Sequence, residues 1–181
     1  WITLTSATRN TFELLGQRAN ATLDVLEAKV DGQLLSVMGG TEEFADQFAD
    51  GRLNIKDKRD NVFHAFSGFL SAHPQVTALL YLDVELDSIV VSRSEGYPIE
   101  VPSTPASTER RSFALNLART HRHPVWGDPI WVSDIGQPVL TYIAPVKRGD
   151  DLLGVMVAPV VLTNVSAFLL DLETKGDLSA F

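Results

Sequence analysis

Three β-rich runs, parted by two short turns that each carry a glycine, fill the stretch PVWGDPIWVSDIGQPVLTYIAPVKRGDDLLGVMVAPVVLTNVSAFLLDL, Pro124–Leu172. Asp134-Ile135-Gly136-Gln137 separates the first two runs and Arg148-Gly149-Asp150-Asp151 the next two. Glycine supplies the positive φ that a tight connection between antiparallel strands requires. The pattern predicts a meander with strands at Ile130–Ser133, Val139–Val146 and Leu152–Val161. A short closing helix is expected from a cap at Thr163 or Asn164 to about Glu173. Pro145 and Pro159 fall inside two of these strands, where proline removes a ladder hydrogen bond. The last strand should be central, so Pro159 predicts a bulge or an early strand end.

The remainder of the chain supplies helices and two more strands. Phe12, Leu15, Ala19, Leu23, Leu26, Val30, Leu34 and Val37 recur at steps of three or four, the stripe of a long helix. Gly39-Gly40 is its expected stop, giving a rod of roughly 50 Å at 1.5 Å per residue. This helix is read as residues 1–40, a stalk of the same domain, and as a surface for pairing with a second copy. Gly16, Gly32, Asn20 and Thr22 interrupt a strict coiled-coil seam. Glu42–Phe48 is expected to form a further short helix before a loop at Asp50-Gly51. A next helix, capped by Asp57 or Asp60, carries Val62, Phe63, Phe66, Phe69 and Leu70 on its apolar face and ends before His73-Pro74. His64 on it reads as an ordinary surface or packing residue.

Val76–Val84 and Ser88–Ser92 read as a hairpin around Glu85-Leu86-Asp87. On the first of these strands Val76, Ala78, Leu80 and Leu82 share a core face, and Thr77, Leu79, Tyr81 and Asp83 share the other. That second face either lines a pocket or leaves Tyr81 at the core edge and Asp83 at the start of the turn. Glu95–Thr108, rich in proline and serine, reads as a long loop, a length that commonly accompanies function. Thr108 caps a helix over Glu109–Thr120, and His121-Arg122-His123 follows. Two histidines one residue apart, with no carboxylate or thiolate at ligand spacing, make a poor metal site.

Composition narrows the function classes. The 181 residues include no cysteine, which removes disulfides, thiolate metal sites and cysteine nucleophiles together. Lys+Arg number 15 against Asp+Glu 23, a net charge of −8 without a basic cluster, so neither nucleic acid nor an anionic membrane surface is served. No apolar run approaches the ~20 residues of a membrane span. The chain begins at Trp1 rather than Met, within a helical pattern, which is expected of a piece of a longer protein. Gly-x-Ser-x-Gly, His-Glu-x-x-His and phosphate-cradling glycine loops are absent from the sequence, and the domain is expected to be non-catalytic. No cofactor is expected: haem would have to use one of four histidines, none in a distinctive motif.

The order of long helix, helix, two strands, loop, helix, three strands and helix is α+β: a five-stranded antiparallel sheet flanked by helices, the PAS-like sandwich. Four segments, FLSAHPQVTALLYLDVELDSIVVSR, ERRSFALNLA, PVWGDPIWVSDIGQPVLTYIAPV and LLGVMVAPVVLTNVSAFL, resemble the Cache (PDC) sensor domains of bacterial transmembrane receptors. The resemblance spans nearly the whole chain. It implies a single Cache domain over residues 41–173 and an exit towards the membrane over residues 174–181. It also implies a periplasmic or extracellular location, flanking transmembrane helices and a homodimer. The hairpin segment is similar to sensor regions attached to adenylate/guanylate cyclases, although kinases and chemoreceptors carry the same module.

In that family a small ligand lies between the sheet and the inserted helix-loop region, and an Arg-x-Trp-Tyr motif opening the helix holds carboxylates. Here the matching residues are Arg110-Arg111-Ser112-Phe113, with either arginine in register and the aromatic pair reduced to Phe113. A guanidinium fork suits a planar carboxylate or phosphate. Trp126, Trp131 and Tyr142 are the expected aromatic walls, with Asp128, Tyr81 and Asp83 completing the candidate site. The expected function is ligand sensing for a membrane signalling receptor. The alternatives are a dimerising relay that binds nothing and, further off, a haem-binding PAS domain.

Overall fold

The computed structural model describes residues 31–94, 96–102, 107–121, 123–132 and 136–161. Chain contacts separate Trp1–Leu35 and Ser166–Phe181 from a body of Ser36–Val165. The expected stalk before residue 31 and the closing helix at Asn164–Glu173 lie outside the described residues.

Residues 31–49 form helix α1. It is followed by α2 (Arg59–Ala72), β1 (Ala78–Asp83), β2 (Ser88–Ser94), β3 (Tyr97–Glu100), α3 (Ser107–Thr120), β4 (Val125–Trp126), β5 (Ile130–Val132), β6 (Gln137–Arg148) and β7 (Asp151–Val161). The strands make one antiparallel sheet of order β3-β2-β1-β7-β6-β4, with β5 also paired to β6. The five expected strands are all present, and two short ones, β3 and β4, extend the sheet at its edges. β3 lies within the segment expected to be loop. Its Tyr-Pro-Ile-Glu sequence conceals a strand because proline is tolerated where one strand edge faces no partner.

Gly39-Gly40 does not stop α1, which runs unbroken to residue 49 and joins the separate helix expected at Glu42–Phe48. Gly40 serves close packing instead: a Cβ there would overlap the ring of Phe69 on α2. The end comes at Gly51, whose φ of 77° turns the chain out of the helix. Phe44 and Phe48 of α1 meet Phe66 of α2 edge-to-face at 5.1 and 6.2 Å.

Two sheet arginines finish the helices. Arg148 donates from Nε and Nη2 to the Ala49 carbonyl at 2.9 and 2.6 Å. Arg93 donates to the carbonyls of Leu70 and His73 at the end of α2. Both place a cation at a helix C-terminus, where the helix dipole is negative.

Pro159 neither ends β7 nor breaks it, correcting the expectation of a bulge or an early end there; β7 continues to Val161 with Pro159 opposite Thr141 of β6. The adjustment falls on the approach to β1. Thr77 donates its N–H to the Pro159 carbonyl at 3.1 Å, while its own carbonyl turns to β2 and accepts from the Arg93 N–H at 3.0 Å. The acceptor that an N–H at residue 159 would have needed is thus already satisfied elsewhere. The register irregularity of the β6–β7 pair lies instead between Val146 and Lys147.

Candidate functional site

Strand alternation divides the sheet into two unlike faces. One row runs Ile89–Tyr81–Met156–Ala144 across β2, β1, β7 and β6, and every member is buried. Leu79, Val91, Ala158 and Tyr142 continue this face, also buried, beneath α1 and α2. The opposite face carries the row Val90–Leu80–Val157–Ile143–Val125. Its core consists of Leu82, Ile143, Val155 and Val157 against Ala114, Leu115 and Ala118 of α3. Leu80 packs at the rim of this core, and beyond it the cover thins: Ala78, Val90, Ser92, Thr141 and Pro159 are, like Leu80, half-buried. Ser92 pairs with Ala78 and Ile99, and Thr141 with Pro159, so these positions form an adjoining row. This partly open floor beside α3 is the candidate binding surface.

The expected site residues divide between the two faces. Arg110 and Arg111 lie in the first turns of α3, on the open side of the sheet; their side chains are outside the described set. Phe113 is on the same helix but 66% exposed, away from Ala114 and Leu115. Tyr81, Trp126 and Tyr142 belong to the other face. Tyr81 lies flat on Phe48 of α1, with centroids 3.7 Å apart and planes 3° apart. Tyr142 donates its hydroxyl to Oε1 of Glu42 on α1, and its ring meets Trp126 at 4.8 Å. Trp126 pairs with Tyr142 and Trp131 with Pro138, so by alternation both tryptophans stand on the helix α1 side, Trp131 being 67% exposed at the edge. The aromatic walls and the arginine helix therefore do not converge. The physical reason is the period of two: even-numbered positions of β6 point one way and odd-numbered ones the other.

Asp83 stands at the start of the β1–β2 turn. Its Oδ1 accepts from the N–H groups of Glu85 and Asp87 at 2.9 Å each, which shapes the β1–β2 turn. Desolvation raises its pKa above the ordinary carboxylate value, opposed by those two amide bonds. Asp83, Glu85 and Asp87 are close enough for their oxygens to share a cation. The Lys56 ammonium already stands there, 2.6 Å from Glu85 and 3.9 Å from Asp87. Its hydrogen bond with Glu85 raises the Lys56 pKa and lowers that of Glu85. Asp128 is exposed between β4 and β5. His64 bonds the Asp60 carbonyl through Nδ1 at 2.7 Å, and His121 and His123 are exposed.

Leu80, Val90, Ser92, Thr141 and Pro159 were absent from the sequence-derived site. The signal available was small hydroxyl residues among β-branched neighbours, Ser88 and Ser92 at one parity of β2 and Thr141 on β6.

No protein-family model matches the chain, and neither does any curated protein. Solved structures do match. The ligand-binding domain of the Campylobacter jejuni chemoreceptor Tlp3 in complex with L-norvaline is 13% identical with a TM-score of 0.57, over 80% of this chain and 57% of that domain. The ligand-binding domain of the Pseudomonas aeruginosa PAO1 amino acid chemoreceptor PctC in complex with GABA is 17% identical at TM-score 0.52, over 91% of this chain and 67% of the other. The extracellular domain of vpHK1S-Z8, named as a histidine kinase, is 14% identical at TM-score 0.52, over 80% and 61%. The chain thus spans little more than half of the Tlp3 domain. Its α+β architecture, an antiparallel sheet between a layer of α1 and α2 and an inserted helix α3, is the Cache-type fold of these receptor sensor domains.

Proposed function

We propose that this chain is the extracytoplasmic ligand-sensing domain of a bacterial membrane signalling receptor. It binds a small carboxylate or similar anion on the α3 side of the sheet and passes the event through its terminal helices to an output domain. The observation that carries this reading is the asymmetry of the two faces. The α1/α2 side is closed by aromatic packing, whereas the α3 side leaves a half-buried floor at Leu80, Val90 and Thr141. Sites for small molecules are concave, largely apolar and supplied with few polar groups.

Arg111 stands three, four and seven positions before Ala114, Leu115 and Ala118, the centre of the stripe that meets the sheet, whereas Arg110 lies to one side of that stripe. Helical periodicity therefore favours Arg111 over Arg110 as the anion-holding guanidinium. A ligand held between α3 and the floor bears on β1, β6 and β7, whose opposite faces carry α1. That gives a route to the stalk and, through a homodimer joined along it, to an output domain of the cyclase, kinase or chemoreceptor kind.

A thermal-shift screen of small carboxylates, amino acids and inorganic anions tests the reading, because a ligand specific to the folded state raises the midpoint. A hit lost in Arg111→Ala supports the site, and an unchanged response removes it. A screen without any hit favours the dimerising relay, and light scattering reports separately on the dimer.

A further inference from the structure

We infer that the last turn of α2 is a two-position relay set by Arg93, through which the α3-side floor acts on α1. This rests on the sensing function proposed above and names the positioning residue that serves it. Ser92 and Arg93 are neighbours on β2, so they point to opposite faces of the sheet. On the floor side, the Ser92 hydroxyl donates to the Thr77 carbonyl at 3.3 Å. The same carbonyl accepts the Arg93 N–H at 3.0 Å, and Thr77 donates its own N–H to Pro159, another floor residue, at 3.1 Å. On the other side, Arg93 Nη2 donates to the Leu70 carbonyl and, at 3.3 Å, to that of His73. One residue thus joins the hydrogen bonds of the floor to the end of α2.

That end is poised between two closures. The His73 N–H is shared between the Phe69 carbonyl at 3.0 Å and the Leu70 carbonyl at 3.3 Å. The bond to Phe69, four residues back, continues the α-helix, and the bond to Leu70, three back, is the 3₁₀ alternative. Pro74 follows directly and keeps the helix from extending past this choice. While the Arg93 guanidinium holds the Leu70 carbonyl, the His73 N–H leans to Phe69. Withdrawing it frees Leu70 for the 3₁₀ bond, which winds His73 on by about 20°, the difference between the two helices per residue. The imidazole carries that rotation to α1. Its ring lies on Phe69 with centroids 4.0 Å apart, Nδ1 is 2.9 Å from the Phe69 carbonyl, and Nε2 is 2.7 Å from the Ser36 hydroxyl of α1. A carbonyl only accepts, so Nδ1 bears the hydrogen, and Nε2 of the neutral ring accepts from Ser36. A displacement at Ser92 or Pro159 therefore reaches Ser36 through one turn with two arrangements, the kind of element that coupling between sites requires.

The test uses nuclear magnetic resonance on the 181-residue chain, with Ser92→Ala as the perturbation at the floor. The ring-nitrogen signals of His73 report the bond to Ser36, and the His73 amide signal reports which carbonyl it follows. Ser92→Ala should move both in the otherwise unaltered chain. It should no longer move them when Arg93→Lys is present, because an ammonium keeps the charge but not the fork. A merely structural Arg93 would lower the unfolding midpoint on substitution yet let the Ser92→Ala shift through in full. That full shift, or no shift at His73 in Ser92→Ala alone, overturns the relay. Coupling is reciprocal, so Ser36→Ala, which removes one exposed hydroxyl, should in turn move the Arg93 Nε–H signal. This second variant decides the matter should Arg93→Lys fail to fold, and an unmoved Arg93 signal overturns the relay. Thermal-shift hits from the ligand screen need no such turn, so failure of the relay is read separately from failure of the sensing function.

Discussion

The ring of Tyr81, on the central strand β1, lies flat against that of Phe48 on α1. Burial of the phenol, with the Asp83 charge adding to it, pushes the Tyr81 pKa up to about 12. The neutral form is thus the one the fold holds. Above pH ~10 the unfolded chain releases this proton while the folded chain retains it. Stability contributed by Tyr81 is therefore complete below pH ~10 and is lost as pH rises towards 12, by at most about 2–3 kcal/mol. Denaturant melts at pH 9 and pH 11 should show this loss in the unaltered chain and a smaller one in Tyr81→Phe. An identical decline in the two proteins would refute the assignment.

Gly39 and Gly40 should respond oppositely to alanine. A Cβ at Gly39 meets nothing within 4 Å, so Gly39→Ala should stabilise by about 0.5–1 kcal/mol through helix propensity. At Gly40 the same methyl runs into Phe69, and overpacking should cost about 1–3 kcal/mol. Trimming the ring in Gly40→Ala/Phe69→Leu should recover part of that cost. Urea midpoints measure all three.

Leu86 holds a φ of 71° in the β1–β2 turn, a left-handed conformation that a leucine side chain resists. Replacing it with glycine relieves about 1–2 kcal/mol of strain. The freer unfolded chain gives back about 0.5–1 kcal/mol. Leu86→Gly should raise stability by roughly 0.5–1 kcal/mol, and Leu86→Ala, still bearing a Cβ, should not. A calorimetric comparison of the two variants settles the point.

Tyr142 and Glu42 tie the middle of β6 to α1 by one hydrogen bond. Desolvation, then the bond to Glu42, raises the Tyr142 pKa. Tyr142→Phe leaves a part-buried carboxylate short of its donor and should cost about 1–3 kcal/mol. Glu42→Gln keeps an acceptor and should cost less. In a ligand-responsive receptor containing this domain, Tyr142→Phe should weaken signalling more than ligand affinity. Equal losses in both would place Tyr142 in the binding step.

The strands were legible in the sequence because β-branched runs are parted by short turns, Glu85-Leu86-Asp87 in the first hairpin and the Gly136 and Gly149 turns in the meander; Val76–Val84 and Val139–Val146 differ from the structure by a residue or two at the ends. The α3 helix was legible for similar reasons, within two residues of its start. Gly39-Gly40 misled because a glycine pair has the same appearance whether it ends a helix or admits a neighbouring ring, and only Phe69, about thirty residues on, distinguishes the two. The site misled for a related reason. Tyr81, Trp126 and Tyr142 are aromatic with polar atoms, the usual materials of a pocket wall, but Tyr81 stacks on Phe48 and Tyr142 bonds Glu42, both of α1, while Trp126 meets Tyr142. Which helix covers which face of a two-sided sheet is a tertiary fact, and alternation fixes only which residues travel together.

That alternation gives the two faces of the sheet separate constraints. Along β1 and β6, every second residue answers to the aromatic layer of α1 and α2, and the residues between answer to whatever occupies the other side. Leu80 or Thr141 can be exchanged for a new chemistry without disturbing Tyr81 or Tyr142. Side chains on one face of such a sheet can therefore be replaced while the aromatic layer on the other stays unaltered.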